Sequence, residues 1–312
     1  MLVSVLMSSY NYERYLPEAI ESILNQTFGD FELIIVDDFS TDNSRKVIEE
    51  YQRKDSRIRT IFHERNMGIS KTANDGLSIA KGKFVSFIGA DDAWFPTKLE
   101  KQIRIIAQDE NKIVWSEGII IDGKGTPTGK TVTQLLNSPS KRSGNIFQEL
   151  LAEDFIFGQS LLFKTEYLKD LEFNEKLKYV NDHLFLVNLS RNHDFVFISE
   201  PLAKYRIHGS NITSKNESTW LKERILIRCV FLQDYAENMT TRTKADIYYK
   251  IGNALSRLGK KEDAKQYYFR AIQTDHFHAN IALYLIYALT NGQGTMGKFL
   301  PAFYYKVSSI LL

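Results

Sequence analysis

Two pairs of adjacent carboxylates, Asp37-Asp38 and Asp91-Asp92, are the residues best placed for chemistry in this 312-residue chain. Each pair follows a short apolar run, residues 31–36 before the first and Phe84, Val85, Phe87 and Ile88 before the second. The second run closes in Gly89-Ala90, and small residues followed by paired acids at a strand's end point to a site. Acids side by side repel unless a cation or hydrogen-bond donors offset the repulsion. Asp91-Asp92 has two readings at this point. The pair could sit at the C-terminal edge of a sheet, where open α/β sheets take their ligands, or it could cap a helix running from Pro96. Recurrence of the pattern at Asp37-Asp38 favours the site, because independent strand ends then converge on one crevice.

The elements that must carry these acids alternate along the chain. Strands are expected over residues 2–8, 31–36, 57–62 and 83–88. Between them, helices are marked by Leu16, Ala19, Ile20, Ile23 and Leu24, by Val47, Ile48 and Tyr51, and by Ala73, Leu77 and Ala80. Pro17 suits the first turn of the first helix. This order predicts an α/β fold with parallel strands and right-handed crossovers. Further on, helices are expected over 96–107, from 146 and over 181–189, and strands over 112–122, 159–163, 195–198 and 202–205. Residues 123–144 lack periodicity and read as a mobile loop that folds over a ligand.

Past residue 215 only helices are expected, over 220–232, 245–258 and 262–272. The last two, joined by Gly259-Lys260-Lys261, carry Tyr249, Gly252, Ala254, Ala264, Tyr268 and Ala271 in a pattern like one tetratricopeptide helix pair; a generic helical hairpin reads equally well. One such pair cannot bury its own face and should pack on the catalytic domain, a protein partner or a second copy. The domains are therefore set at 1–215 and 216–312. The tail 298–312, KFLPAFYYKVSSILL, suits either peripheral contact with a membrane interface or packing as a terminal segment.

Composition narrows the function classes. Hydrophobic residues make up 43% and charged residues 25%, ordinary for a globular chain with a sizeable core. The net charge of +2 is too balanced to argue for nucleic acid. Cys229 is the lone cysteine, which excludes an internal disulfide and a cysteine zinc cluster and fits a cytoplasmic, reducing compartment. The opening MLVSVLM has no basic leader and reads as a strand. The sequence has no P-loop, dinucleotide glycine fingerprint or Ser-His-Asp arrangement.

Taken in order, VSVLMSSYN, LIIVDDFSTDNS, Asn66-Met67-Gly68 and FVSFIGADD resemble the nucleotide half of a family-2 glycosyltransferase of the GT-A fold. The resemblance covers roughly residues 1–210. It implies a Rossmann-like, mostly parallel central sheet flanked by helices, to which the helical extension is added. It implies metal-dependent, inverting transfer of a sugar from a nucleotide sugar, most simply UDP-linked. The acceptor would be a hydroxyl of a glycan or of a polyprenyl-linked carrier, in surface polysaccharide or glycan biosynthesis at the inner face of a membrane.

The family's motifs assign residues here one by one. Asp38 falls where the nucleobase is read, Ser9 and Tyr10 where the base is edged, and Asn66 on the nucleotide-facing turn. Ala90-Asp91-Asp92 matches the DxD-type motif with its first acid replaced. Asp92 would hold Mn2+ or Mg2+, and Asp91 would contact the ribose or the metal's waters. Lys71 would add a charge beside the phosphates. Asn181-Asp182 matches the acid pair supplying the base, so Asp182 would take the acceptor's proton, with Glu153 and Asp154 as weaker contenders. Tyr205-Arg206-Ile207-His208-Gly209-Ser210-Asn211 matches the closing segment, and His208 would reach the metal or diphosphate. Two other classes fit parts of the chain. A non-catalytic scaffold would explain Ala90 and Asn181. A sugar-nucleotide nucleotidyltransferase would need a Gly-rich basic loop after the first strand, where SSYNYERY stands instead.

Overall fold

The computed structural model describes residues 2–275, apart from 170, 210 and 212–215. The chain divides between Asn216 and Glu217 into two compact units. The first opens with β1 (Val3–Ser9), α1 (Leu16–Leu24), β2 (Phe31–Asp37), α2 (Ser44–Lys54), β3 (Ile58–Phe62), α3 (Ile69–Ser78) and β4 (Phe84–Gly89). It continues with β5 (Ala93–Trp94), α4 (Lys98–Ile106), β6 (Ile113–Asp122), β7 (Pro127–Thr131), α5 (Val132–Leu135), α6 (Phe147–Ala152), β8 (Phe163–Lys164), α7 (Asn181–Ser190) and β9 (Phe195–Ile207).

The main sheet has the order β3-β2-β1-β4-β8, with β1 to β4 mutually parallel and β8 antiparallel at the edge. Every residue of β2 is buried, so the strand reads as a nearly continuous apolar run instead of alternating, and the buried Glu32 within it is held by Ser4 Oγ, Arg59 and the Lys81 amide. α1 packs Leu16, Ala19, Ile20 and Ile23, all fully buried, into the core. Burying each of the larger three stabilises the fold by about 1.5–3 kcal/mol.

The second sheet, β5-β9-β6-β7, sets the site. β9 runs parallel to β6, and β5 pairs antiparallel with β9 through Ala93↔Lys204. That pairing starts directly after Asp92, so it brings the 204–208 segment against Asp91-Asp92.

Three expectations change, and one of the two readings of Asp91-Asp92 drops out. Residues 123–144 are not a structureless loop: β7 makes a hairpin with β6, and α5 begins in a capping box between Thr131 and Gln134. Val132 is buried there, and Thr133 binds the buried Glu117. Thr131-x-x-Gln134 is a readable capping box, but the pairing that holds β7 is made by β6. The strand expected over 159–163 is a 3-10 turn, Gly158–Ser160, followed by the two-residue β8. The strands expected over 195–198 and 202–205 form the single β9, whose register against β6 shifts at Ser116, Glu117 and Gly118. Lastly, Asp91-Asp92 does not cap the helix after Pro96, since α4 starts at Lys98 with Thr97 at its N-cap.

The second unit contains α8 (Glu217–Asp234), α9 (Thr241–Arg257) and α10 (Lys261–Thr274). α9 and α10 meet where Gly252 has no side chain: a Cβ there would lie 2.5 Å from the Tyr268 ring. Tyr268 Oη also donates to Asn253 Oδ1 at 2.9 Å. The tail 298–312 lies outside the described residues.

Candidate active site

Parallel register brings the first group of residues to one sheet edge. Ser9 stands opposite Asp37, and Ser8 opposite Gly89, so β1, β2 and β4 end together. Ser9 O accepts from the Asp38 amide at 2.9 Å. Ser9 Oγ is buried and has no hydrogen-bond partner. Asp37 holds the following turn through the Ser40 amide (2.9 Å) and hydroxyl (2.6 Å). Asp42 accepts from the Ser44 amide at the start of α2, as a capping acid would.

Asp38 is more engaged than its expected role implies. Its Oδ1 faces His63 Nδ1 at 2.7 Å and accepts from the Met67 amide at 2.6 Å, while Oδ2 accepts from the Gly68 amide at 2.8 Å. Asn66 Nδ2 donates to Asp38 O at 3.3 Å. Asp38 therefore builds the 66–68 turn and keeps acceptor capacity mainly on Oδ2. Tyr10 is exposed beside it. Lys71 pairs with Asp75 one turn along α3, and that bond raises the lysine's pKa. Asp75 in turn faces His63 Nε2 at 3.1 Å. Lys71 thus ends a chain of contacts running from Asp38.

Asp91 and Asp92 are both buried, and their surroundings differ. Asp91 is wrapped by donors: the Tyr12 phenol hydrogen-bonds it, His208 Nε2 lies 3.1 Å from its Oδ2, and Asn211 Nδ2 donates to the same oxygen at 3.3 Å. Burial first, and then Asp91's charge and hydrogen bond, push the Tyr12 phenol well above its ordinary range, so it remains a donor. The Tyr15 and Tyr12 rings flank His208, at 4.8 and 5.8 Å between centroids.

Asp92 receives one donor. Its Oδ1 accepts from the Arg206 amide at 2.9 Å, and its Oδ2 is buried without a partner. Burial, reinforced by Asp91's charge, holds its pKa well above the usual carboxylate value. Both acids lean over the bare Cα of Gly89, where a Cβ would lie 2.7 Å from Asp91 Oδ1 and 3.3 Å from Asp92 Oδ2. Ala90, in place of the motif's first acid, is fully buried.

These residues fit a hard cation. An orphaned buried carboxylate oxygen beside a second carboxylate is an arrangement that a divalent ion relieves. Among the described residues, no three His, Cys, Asp or Glu side chains form a complete metal cluster. An ion of the Mg2+ kind takes one or two carboxylates and completes its shell with water and substrate phosphates. His208 Nε2 faces Asp91, so it would exchange that contact to become a ligand.

Asp182 is exposed in the first turn of α7 and accepts from the His183 amide at 2.9 Å. Its neighbour Asn181 explains the departure from an acid pair. Asn181 Nδ2 donates to Asn174 O at 2.6 Å and Leu177 O at 3.0 Å, and it also bonds Ser70 Oγ at the start of α3. A carboxylate could not make these donations. The latch ties the start of α7, which carries Asp182, to the start of α3, just past the turn that Asp38 holds. His183 Nε2 lies 2.6 Å from Leu150 O, which ties α7 to α6, and Glu153 and Asp154 follow the end of α6.

Arg206, a member of the closing segment, gains its role only in the folded chain. It is 1% exposed. Its Nε donates to Asp91 O at 2.7 Å, Nη1 donates to Asp122 O at 3.3 Å, Nη2 pairs with Glu18, and the guanidinium lies 4.9 Å from the Tyr15 ring centroid. Tyr12 is a site residue that chain order did not single out, and Gly89 and Asn211, though noted there, had no role assigned.

The family model described as "Glycosyl transferase family 2" matches residues 4–172. An uncharacterized glycosyltransferase of Methanocaldococcus jannaschii is 35% identical over 210 residues, which cover 66% of this chain and 71% of that protein. The Bacillus subtilis protein TuaG, named for teichuronic acid biosynthesis, is 27% identical over 247 residues, which cover 76% of this chain and 95% of that one. Among solved structures, S. aureus TarS 1-349 in complex with UDP-GlcNAc superposes with a TM-score of 0.66 at 23% identity, over 88% of this chain and 81% of that chain. At that identity the likeness speaks for the fold.

Proposed function

The chain belongs to glycosyltransferase family 2, and from that premise we propose that it transfers a sugar from a UDP-linked donor to an acceptor hydroxyl with inversion. The observation that carries this reading is Asp92, whose Oδ2 is buried and unpartnered beside Asp91, on the same strand edge as Ser9 and Asp38. The donor's diphosphate lies over Asp91-Asp92. Asp92 would hold the divalent cation, Mn2+ or Mg2+, with His208 as its neighbour. A cation bound there would neutralise charge on the departing diphosphate. The nucleoside extends across the end of β1 toward Ser9, Tyr10, Asn66 and Asp38. Lys71 acts through Asp75 and His63 on the turn that Asp38 builds.

Asp182 accepts the acceptor hydroxyl's proton. The freed oxygen attacks the anomeric carbon as the bond to the diphosphate breaks, so UDP leaves in one displacement. The UDP-GlcNAc complex of TarS supports a uridine donor. TuaG's role supports a surface-polysaccharide acceptor, either a glycan or a lipid-linked carrier. No helix of the described residues is long and apolar enough to cross a membrane.

The test is UDP release from a panel of UDP-sugars with Mn2+, for wild type and Asp182→Asn. Loss of a general base lowers kcat by about 10²–10⁴-fold, with the donor's KM unchanged. A variant that turns over like wild type removes Asp182 from the mechanism.

A further inference from the structure

The described residues include three non-glycine positions with positive φ: Asn11 at 58°, Asn137 at 49° and Phe39 at 64°. Asparagine adopts the left-handed region readily, whereas a bulky side chain does so at a cost. Phe39 therefore needs an explanation that the two asparagines do not.

Folding does not supply it. The Phe39 side chain is 47% exposed and stacks on no ring or cation among the described residues. Tyr10, at the end of the neighbouring strand, is 42% exposed and equally without a ring partner. The backbone around both is held firmly. The Asp38 amide donates to Ser9 O, the Asn11 amide donates to Ser40 Oγ at 2.9 Å, and the Thr41 amide donates to Asn11 Oδ1 at 2.7 Å. On the far side, Asp38 fixes the turn bearing Met67, which is 37% exposed. Two aromatic side chains thus emerge at adjacent strand ends from a rigid, hydrogen-bonded frame, one of them from a strained backbone. Strain held in place by surrounding bonds and unrewarded by packing is characteristic of a binding residue.

We propose that Phe39 is a base-stacking residue, with its ring forming one wall of the donor's nucleobase subsite beside Tyr10. This rests on the nucleotide-sugar reading above. The position selects the base over the rest of the donor. Phe39 follows β2, and β1 stands between β2 and β4, whose end carries Asp91-Asp92. Two strand spacings, roughly 10 Å, separate the phosphate end of the edge from Phe39. A ribose bearing its base has that reach.

The test measures UDP and pyrophosphate binding calorimetrically with Mn2+, and thermal melting without ligand, for wild type, Phe39→Gly and Phe39→Tyr. Glycine removes the ring and accepts the left-handed backbone at no steric cost. Phe39→Gly should therefore melt no lower than wild type, yet bind UDP roughly 5- to 150-fold more weakly, the range that loss of one base–aromatic stack produces. Phe39→Tyr keeps the ring and should bind UDP like wild type. Pyrophosphate has no base, so its affinity should not change. Equal UDP affinity for Phe39→Gly and wild type overturns the assignment, as does an equal loss for pyrophosphate. A Phe39→Gly variant that melts well below wild type shows that the ring serves folding, which also overturns it. If wild-type protein binds no UDP, the donor reading and this assignment fail together.

Discussion

Replacing Asp92 with Asn should make the protein more stable and inactive. In the wild type Oδ1 accepts from the Arg206 amide, while Oδ2 is buried without a donor and faces a second carboxylate across the Gly89 Cα. The variant keeps the Arg206 bond and exchanges the bare oxygen for an NH2 group that Asp91 can accept from. Relieving one unsatisfied buried acceptor contributes about 1–3 kcal/mol, and each kcal/mol moves Tm by about 2–4 °C in a protein of this size class. A rise of roughly 2–12 °C without metal follows. The sign with pH is also fixed. Burial and Asp91's charge raise Asp92's folded pKa. Its favourable contribution to stability is therefore present below the ordinary Asp value, ~3.9, and is lost as pH rises through the folded one. The Asn variant's advantage should thus widen from acidic to mildly alkaline pH. Mn2+ should reverse the order, since an ion at 100 times its Kd adds about 2.7 kcal/mol to the protein that binds it. Thermal melts across pH, with and without Mn2+, read all of this. A variant that melts at or below wild type in the absence of metal would refute the account of Asp92 as an anion held for a ligand.

Two further outcomes follow from the same geometry. Gly89→Ala puts a Cβ 2.7 Å from Asp91 Oδ1, so Asp91 must move, and transfer should fall by about 10²-fold with little change in melting temperature. Wild-type turnover in that variant would mean the acids' placement over Gly89 is unimportant. Arg206→Lys keeps a charge but loses the fork that reaches the carbonyls of Asp91 and Asp122. It should cost about 1–3 kcal/mol, seen as a lowered urea midpoint. The Glu18 pair adds little to that figure, because the Glu18 side chain is 46% exposed. An unchanged midpoint would show that the buried guanidinium does not support the site.

Most of the parallel half was legible in the sequence because its information is local. Leu16, Ala19, Ile20 and Ile23 carry a helix's period, and the buried β2 carries a nearly continuous apolar run. Both patterns follow from which faces are covered. The short elements after Asp122 were read poorly. β7, the two-residue β8 and the continuous β9 owe their existence to partners far along the chain, and a β-strand's pairing leaves little trace in its own residues. The site divided the same way. Asp38, Asp91, Asp92 and Asp182 stood out by type and context, and parallel register brings the first three to one sheet edge. Arg206 did not stand out as a clamp, because its amide meets Asp92 across 114 residues of chain. Nor did the pairing of Lys71 with Asp75 or the engagement of Asp38 with His63, Met67 and Gly68.

By itself the sequence determined the alternation of strands and helices, the family, and which acids end which strands, since periodicity and motif order lie along the chain. Only the tertiary structure decided that Asp91 is wrapped by donors while Asp92 keeps a bare buried oxygen, and that Asn181 is a latch. The physical reason is that a carboxylate's properties depend on which groups share its few ångströms of space. The segment before α1, the end of β9 and the residues just after it supply those groups here, and only folding brings them together.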